Sequence, residues 1–327
     1  MAPRVLEDWL ADLVDPDGDA DRVFLDPPRE PALIAPASVS WRVFKNPLSV
    51  YVGGIAAVLL QLAEPRVGSG VWQYTSFRER PVERLRRTAH AAMLSVYGPR
   101  SRAEAMIARV TRLHERVSGT TPHGDRYEAV DPALLTWVQA TAAFGFLEAY
   151  HVYVRPLRDA ERDRYYAEGQ RAAHLYGARD APASQAAMEA LFAAMHDRLE
   201  PSDIVHEFLA IVRRMPALPA PLRPLQALLV RAAVDIVRRM PALVAPLRPL
   251  QALLIRAAVD IVPPAARERL GLQGWRLAPW QRGLVGWLAR GADRLLLSSS
   301  AAVQSCRRLA LPEDFLYVAA RAPHEGP

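Results

Sequence analysis

Arg84 and Thr88 stand four residues apart, and His114 follows on what reads as the apolar edge of the next helix. An i, i+4 pair projects from one helix face, so Arg84 and Thr88 would present a cation and a hydroxyl at one place. A histidine from a neighbouring helix adds a ring nitrogen able to hold a metal or a haem iron opposite them. Residue types alone leave two blander alternatives open. The arginines could form a solvated face, and His114, which shares its face with Val110 and Val117, could be a satisfied core residue.

The elements that must carry these residues read as helices. Residues 47–63 form an apolar run that ends at Glu64-Pro65. Pro81 suits the first turn of a helix over about 82–96, which stops near Gly98-Pro99. Ser101 with Glu104 has the spacing of a capping box. Ala103, Met106, Ile107, Val110, Leu113 and Val117 follow at helical spacing, and Gly119 closes the segment. Asp131-Pro132 opens a long apolar helix reaching about Val154, and further helices follow at about 158–175, 183–197 and 201–214. No period-2 run occurs, so the expected fold is all-α. It comprises an irregular, proline-rich N-terminal arm over 1–45 and one large helical domain over 46–320. The sequence from Ile211 to Asp235 is repeated from Ile236 to Asp260, with differences only at Pro219/Val244 and Val230/Ile255. Two near-identical copies are too few for a solenoid and read as a recent tandem duplication adding a helix and a loop at the surface.

The 327 residues suffice for a large core, and the net charge is +6. Of 41 basic residues only Lys45 is lysine, the mark of a GC-rich coding bias. Acidic residues are interleaved throughout, so no basic tail or stripe points to nucleic acid. Cys306 is the only cysteine, which excludes internal disulfides and multi-cysteine metal sites. The acidic stretch from Met1 to Asp26 lacks the pattern of a secretory signal. The apolar run from Leu48 to Ala63 is shorter than the roughly 20 residues of a membrane span. A soluble, cytoplasmic protein is expected. Glu148-x-x-His151 is half of a di-iron motif with no second copy. No phosphate-binding glycine loop or nucleophile elbow is present, and Ser298-Ser299-Ser300 reads as a polar turn.

In order along the chain stand Leu59-Leu60-Gln61-Leu62-Ala63-Glu64-Pro65; Arg84-Leu85-Arg86-Arg87-Thr88; Arg109-Val110, Leu113-His114 and Gly119; Tyr127-x-Ala129-x-Asp131-Pro132; Leu135-x-Trp137-Val138; and Tyr165-Tyr166-x-Glu168-Gly169. Together these resemble the bacterial and fungal family of MpaB-type oxygenases and rubber oxygenases (latex-clearing proteins), over about Asn46 to Leu316. The resemblance implies a globin-like helical core binding haem b, with His114 as the iron's proximal ligand. It places Arg84 and Thr88 as the catalytic pair across the haem, and Arg87 where the rubber oxygenase carries a lysine able to occupy the distal position. Arginine stays protonated and is a poor iron ligand, so an open or water-filled sixth position is expected. Glu64 and Gln139 replace histidines found in many relatives. The implied function is that of a haem b-dependent bacterial oxygenase using O2 on an apolar, isoprenoid- or lipid-like substrate. The alternatives are a non-catalytic haem- or lipid-binding protein, or a pseudoenzyme of the same fold. Oligomeric state is left open.

Overall fold

The computed structural model describes residues 23–74, 76–215 and 248–318. The first part of the arm, the C-terminal tail and most of the duplication lie outside the described residues. Among these residues the fold is all-α apart from one short hairpin. The helices are α1 (Val39–Phe44), α2 (Pro47–Leu62), α3 (Pro65–Tyr74), α4 (Pro81–Tyr97), α5 (Arg100–His114), α6 (Pro132–Tyr153), α7 (Asp159–Leu175), α8 (Gln185–Met195), α9 (Asp203–Arg214), α10 (Arg248–Asp260), α11 (Pro264–Arg269), α12 (Pro279–Ala292), α13 (Ala301–Arg308) and α14 (Phe315–Val318). Strands β1 (Ser118–Thr120) and β2 (Arg126–Glu128) pair antiparallel, with Gly119 opposite Tyr127.

The centre is the crossing of α2 and α6. Both helices are apolar on nearly every side, which suits burial among other helices rather than an amphipathic surface position. Each starts with proline at its first position behind a capping side chain. Asn46 accepts from Leu48 N and Ser49 N, and Asp131 accepts from Ala133 N. They meet at Gly53 and Gly145, where a β-carbon on either would sit within 2.5 Å of the other's carbonyl oxygen. Side chains lock the same pair: Trp137 Nε1 donates to Leu60 O and Gln61 Nε2 donates to Val138 O, both at 3.2 Å. Around them, α9, α10 and α12 pack on α2, and α7 packs on α6 and α1. No single described helix is long and apolar enough to cross a membrane; the bent pair α2–α3 passes on composition only, with a 108° break.

Several local expectations give way to longer-range contacts. Pro65 ends α2 but also begins α3, because Glu64 accepts from Val67 N and caps the new helix. The Ser101–Glu104 capping box does not form. Glu30, from the arm, accepts both Ser101 N and Ser101 Oγ, while Glu104 pairs with Arg171. Helix α5 stops at His114 rather than at Gly119, which enters the hairpin. The described part of the arm is built into the core: Phe24, Ile34 and Trp41 are buried, and Arg308 of α13 donates to Phe24 O and Glu30 O. Burial pushes the Arg308 guanidinium down to about 10.

The described helix of the second repeat copy, α10, is part of the core; the corresponding helix of the first copy lies outside the described residues. Leu254, Ile255, Ala257, Ala258 and Val259 are fully buried. At its end Asp260 takes the Arg282 guanidinium at 2.6 Å, and the Tyr153 hydroxyl donates to Ala257 O. The head of the first copy meets the tail of the second, since Gln251 Nε2 donates to Val212 O. A chain lacking residues 236–260 therefore keeps α9 and should regain α10 from the near-identical first copy, with Val230 in the place of Ile255. The expected result is a folded protein destabilised by about 1 kcal/mol, the cost of one lost methyl group in a packed core. Urea denaturation checks it; an insoluble product would refute the equivalence of the copies.

Candidate functional site

Helix α4 is tied most firmly at its C-terminal end. At its C-terminal end Trp41 Nε1 donates to Val96 O at 3.1 Å, the Tyr97 hydroxyl donates to Trp41 O at 2.6 Å, and Ser305 Oγ donates to Tyr97 O at 2.8 Å. Only Leu94, Val96 and Tyr97 of the helix are fully buried. The preceding stretch leaves Leu85, Ala91, Ala92 and Met93 partly covered against the core. Arg84 and Thr88 sit on this half-covered stretch.

The two side chains are joined. Arg84 Nη1 donates to Thr88 Oγ1 at 2.5 Å, and Thr88 Oγ1 donates to Arg84 O at 3.0 Å. The threonine thus ties the guanidinium back to its own helix. Arg87 turns elsewhere, to an exposed i, i−4 pair with Glu83. Glu83 also takes Arg80, at 3.2 Å, so one first-turn carboxylate holds two flanking cations. Burial and the charge of Arg87 lower the Arg84 pKa, yet an arginine remains charged at neutral pH.

His114 is the last residue of α5, the helix packed beside α4. It extends the covered stripe of Ala103, Ile107 and Val110, whereas Leu113 points out, 55% exposed. Burial lowers the His114 pKa, and the charge of Arg84 lowers it further. Arg84 and His114 therefore share one electrostatic neighbourhood. The imidazole is neutral at pH 7, the form that ligates metal. No hydrogen bond engages its ring among the described residues. Removing Arg84 takes away the repelling cation, so the His114 pKa should rise in an Arg84→Ala protein. Proton NMR titration of the cofactor-free protein reads this directly; an unchanged or lower value would show that the two groups do not interact.

Residues 41–292 match the sequence profile of a family described as ER-bound oxygenase mpaB/B′/rubber oxygenase, catalytic domain. The chain belongs to this family. No curated protein and no solved structure matches it. Membership in the mpaB/rubber oxygenase family carries an oxygenase-type function.

The structure separates the family landmarks by duty. Leu60, Gln61, Trp137 and Val138 join the central helices. Glu64 is buried, bonded to Arg66 and to the start of α3. The Tyr127 hydroxyl donates to Gln73, and Tyr165 and Tyr166 are core. Glu168 accepts from Val39 N, Ser40 N and Ser40 Oγ, capping α1 from across the fold. Sequence spacing gave no sign of that role. Glu148 pairs with Arg162, and His151 accepts from Leu157 N, so both residues of that half-motif are structural. Among the described residues no side-chain hydrogen bond joins Arg84, Thr88 or His114 to another element. No cluster of three or more His, Cys, Asp or Glu is placed to hold a metal among the described residues. A haem needs no such cluster, since its macrocycle supplies four nitrogens and the protein one axial ligand. A neutral histidine, a neighbouring guanidinium and partly covered apolar walls fit that demand.

Proposed function

We propose that the protein is a haem b-dependent oxygenase that uses O2 on an apolar, isoprenoid- or lipid-like substrate. What carries this reading is the partly buried imidazole of His114, with no hydrogen bond to its ring among the described residues, beside the Arg84 guanidinium on helices whose apolar faces are half covered. His114 would hold the iron. Arg84 and Thr88 would line the haem, with Arg87 at its margin, where Glu83 keeps it.

When bound, the haem supplies the iron that binds and activates dioxygen. The chain's own residues supply electrostatics and position. The Arg84 guanidinium offers a fixed positive charge to the negative charge that develops on oxygen as it is reduced. Thr88 holds that guanidinium in place through the 2.5 Å hydrogen bond. The half-covered side chains of Leu85, Ala92 and Val110 offer apolar walls to a hydrocarbon. Cleaving one carbon–carbon double bond into two carbonyls consumes one O2 and needs no external reductant, so this simple set of groups suffices.

The test is oxygen uptake by haem-loaded protein given an isoprenoid hydrocarbon, with carbonyl products measured alongside. Arg84→Ala should keep haem and lose about 100-fold in turnover, as expected when one preorganised charge is removed. Haem retained in the parent, with no oxygen uptake on any isoprenoid or lipid, would favour a non-catalytic haem- or lipid-binding protein.

A further inference from the structure

Helix α12 buries one face, through Val285, Leu288, Ala289 and Ala292, against the central helices. Its opposite face is also apolar. Trp280, Leu284 and Trp287 fall at i, i+4 and i+7, a single stripe, and are 69%, 37% and 52% exposed. Leu295 and Leu296 follow just past the helix end, 37% and 44% exposed. These are five of the nine exposed large apolar residues among the described residues, gathered between Trp280 and Leu296. Scattered apolar side chains need no explanation, but a one-face stripe with two open tryptophans marks a contact surface.

The charged residues of the same stretch are almost all of one sign. From Gly271 to Ser300 the sequence holds Arg276, Arg282, Arg290 and Arg294 and a single acid, Asp293. Asp293 is turned inward to Lys45, with its side chain 12% exposed. All four arginines are exposed. Arg282 also engages the buried Asp260, with half of its side chain open to solvent. Along this stretch the exposed side chains thus combine tryptophan, leucine and arginine, and its one carboxylate is turned inward.

We infer that this face docks the protein on an anionic phospholipid surface. Tryptophan suits the boundary between headgroups and acyl chains, leucine enters the apolar layer, and guanidinium groups pair with phosphate oxygens. A second copy of the chain fits less well, because a two-fold contact through this patch would set arginine against arginine. This inference stands apart from the haem reading and shares no residue with it.

The test is flotation of the full chain with vesicles of phosphatidylcholine alone, and with about a third phosphatidylserine, whose negative surface attracts basic residues. The parent should float with the anionic vesicles, much less with the neutral ones, and its binding should weaken with salt. The Trp280→Ser/Trp287→Ser and Arg290→Ser/Arg294→Ser proteins should each lose about tenfold or more in binding, since both signals are needed for stable attachment. Leu113→Ser, an exposed apolar change elsewhere, should bind as the parent does. All these positions are exposed, so circular dichroism should match the parent. A parent protein that does not float with anionic vesicles overturns the proposal. So does loss in the arginine variant alone, which would mean charge adsorption without docking. A parent dimer that ignores lipid and dissociates in the tryptophan variant would make the face a self-contact instead.

Discussion

The His114→Ala protein is expected to purify folded and without haem. The parent, expressed with haem precursor, should show a Soret band in the usual ~400–420 nm range, and the variant none. Two features of His114 separate cofactor loss from fold loss. It is the terminal residue of α5, so no further turn of helix depends on it. Its ring makes no hydrogen bond among the described residues, so truncation orphans no partner. The stability change should stay within about 1 kcal/mol, the range of a half-covered substitution away from special contacts. Matching circular dichroism and melting curves would establish that. Stoichiometric haem in the variant would refute His114 as the ligand. The lowered pKa adds a pH signature. A proton competes with iron for the same imidazole nitrogen, and here it competes only below the ordinary value near ~6.5. Haem should stay bound as pH falls past that point and be released only at lower pH. In Arg84→Ala the release should move upward in pH.

Much of this fold is legible in the chain because its helices announce themselves locally. Pro47, Pro81 and Pro132 each sit at a first helical position, and the long apolar runs behind Asn46 and Asp131 allow only buried helices. Local signals fail where a distant group outcompetes them. Glu30 displaces the Ser101–Glu104 box because it offers Ser101 a carboxylate for both its amide and its hydroxyl. Glu168 adds a distant carboxylate to α1, taking Val39 N and Ser40 N, beside the local Ser38 cap on Trp41 N. Pro65 reads as a stop, and only the Glu64 carboxylate makes it a start as well. The three-residue strands are too short for period 2 to register. The site divides similarly. The Arg84–Thr88 pair is an i, i+4 contact and so follows from spacing. The influence of Arg84 on His114 depends on how α4 lies beside α5, which no spacing encodes. The tryptophans of α12 are visible in the sequence, but which side of that helix meets the core is settled only by packing.

The packing at the centre makes the second large prediction. Gly145→Ala should cost about 3 kcal/mol, at the upper end of overpacking penalties. The new β-carbon would lie 2.3 Å from Gly53 O and 3.1 Å from Ala57 N. Both are backbone atoms, so no rotamer change can make room, and α2 and α6 must move apart. Separation would stretch the Trp137–Leu60 and Gln61–Val138 hydrogen bonds that span the same interface. Helix propensity opposes this loss, since alanine is favoured over glycine by about 1 kcal/mol in a helix. That opposition is measurable in the same protein. Gly283 lies in α12 with nothing within 4 Å of its would-be β-carbon. Gly283→Ala should therefore stabilise, by about 0.5–1 kcal/mol. One substitution type with two signs isolates the backbone contact from intrinsic preference. Urea denaturation of both variants decides it. A Gly145→Ala protein as stable as Gly283→Ala would mean that α2 and α6 do not approach closely. The helices carrying Asn46, Trp137 and Tyr153 would then lack the rigid crossing against which the rest of the fold is assembled.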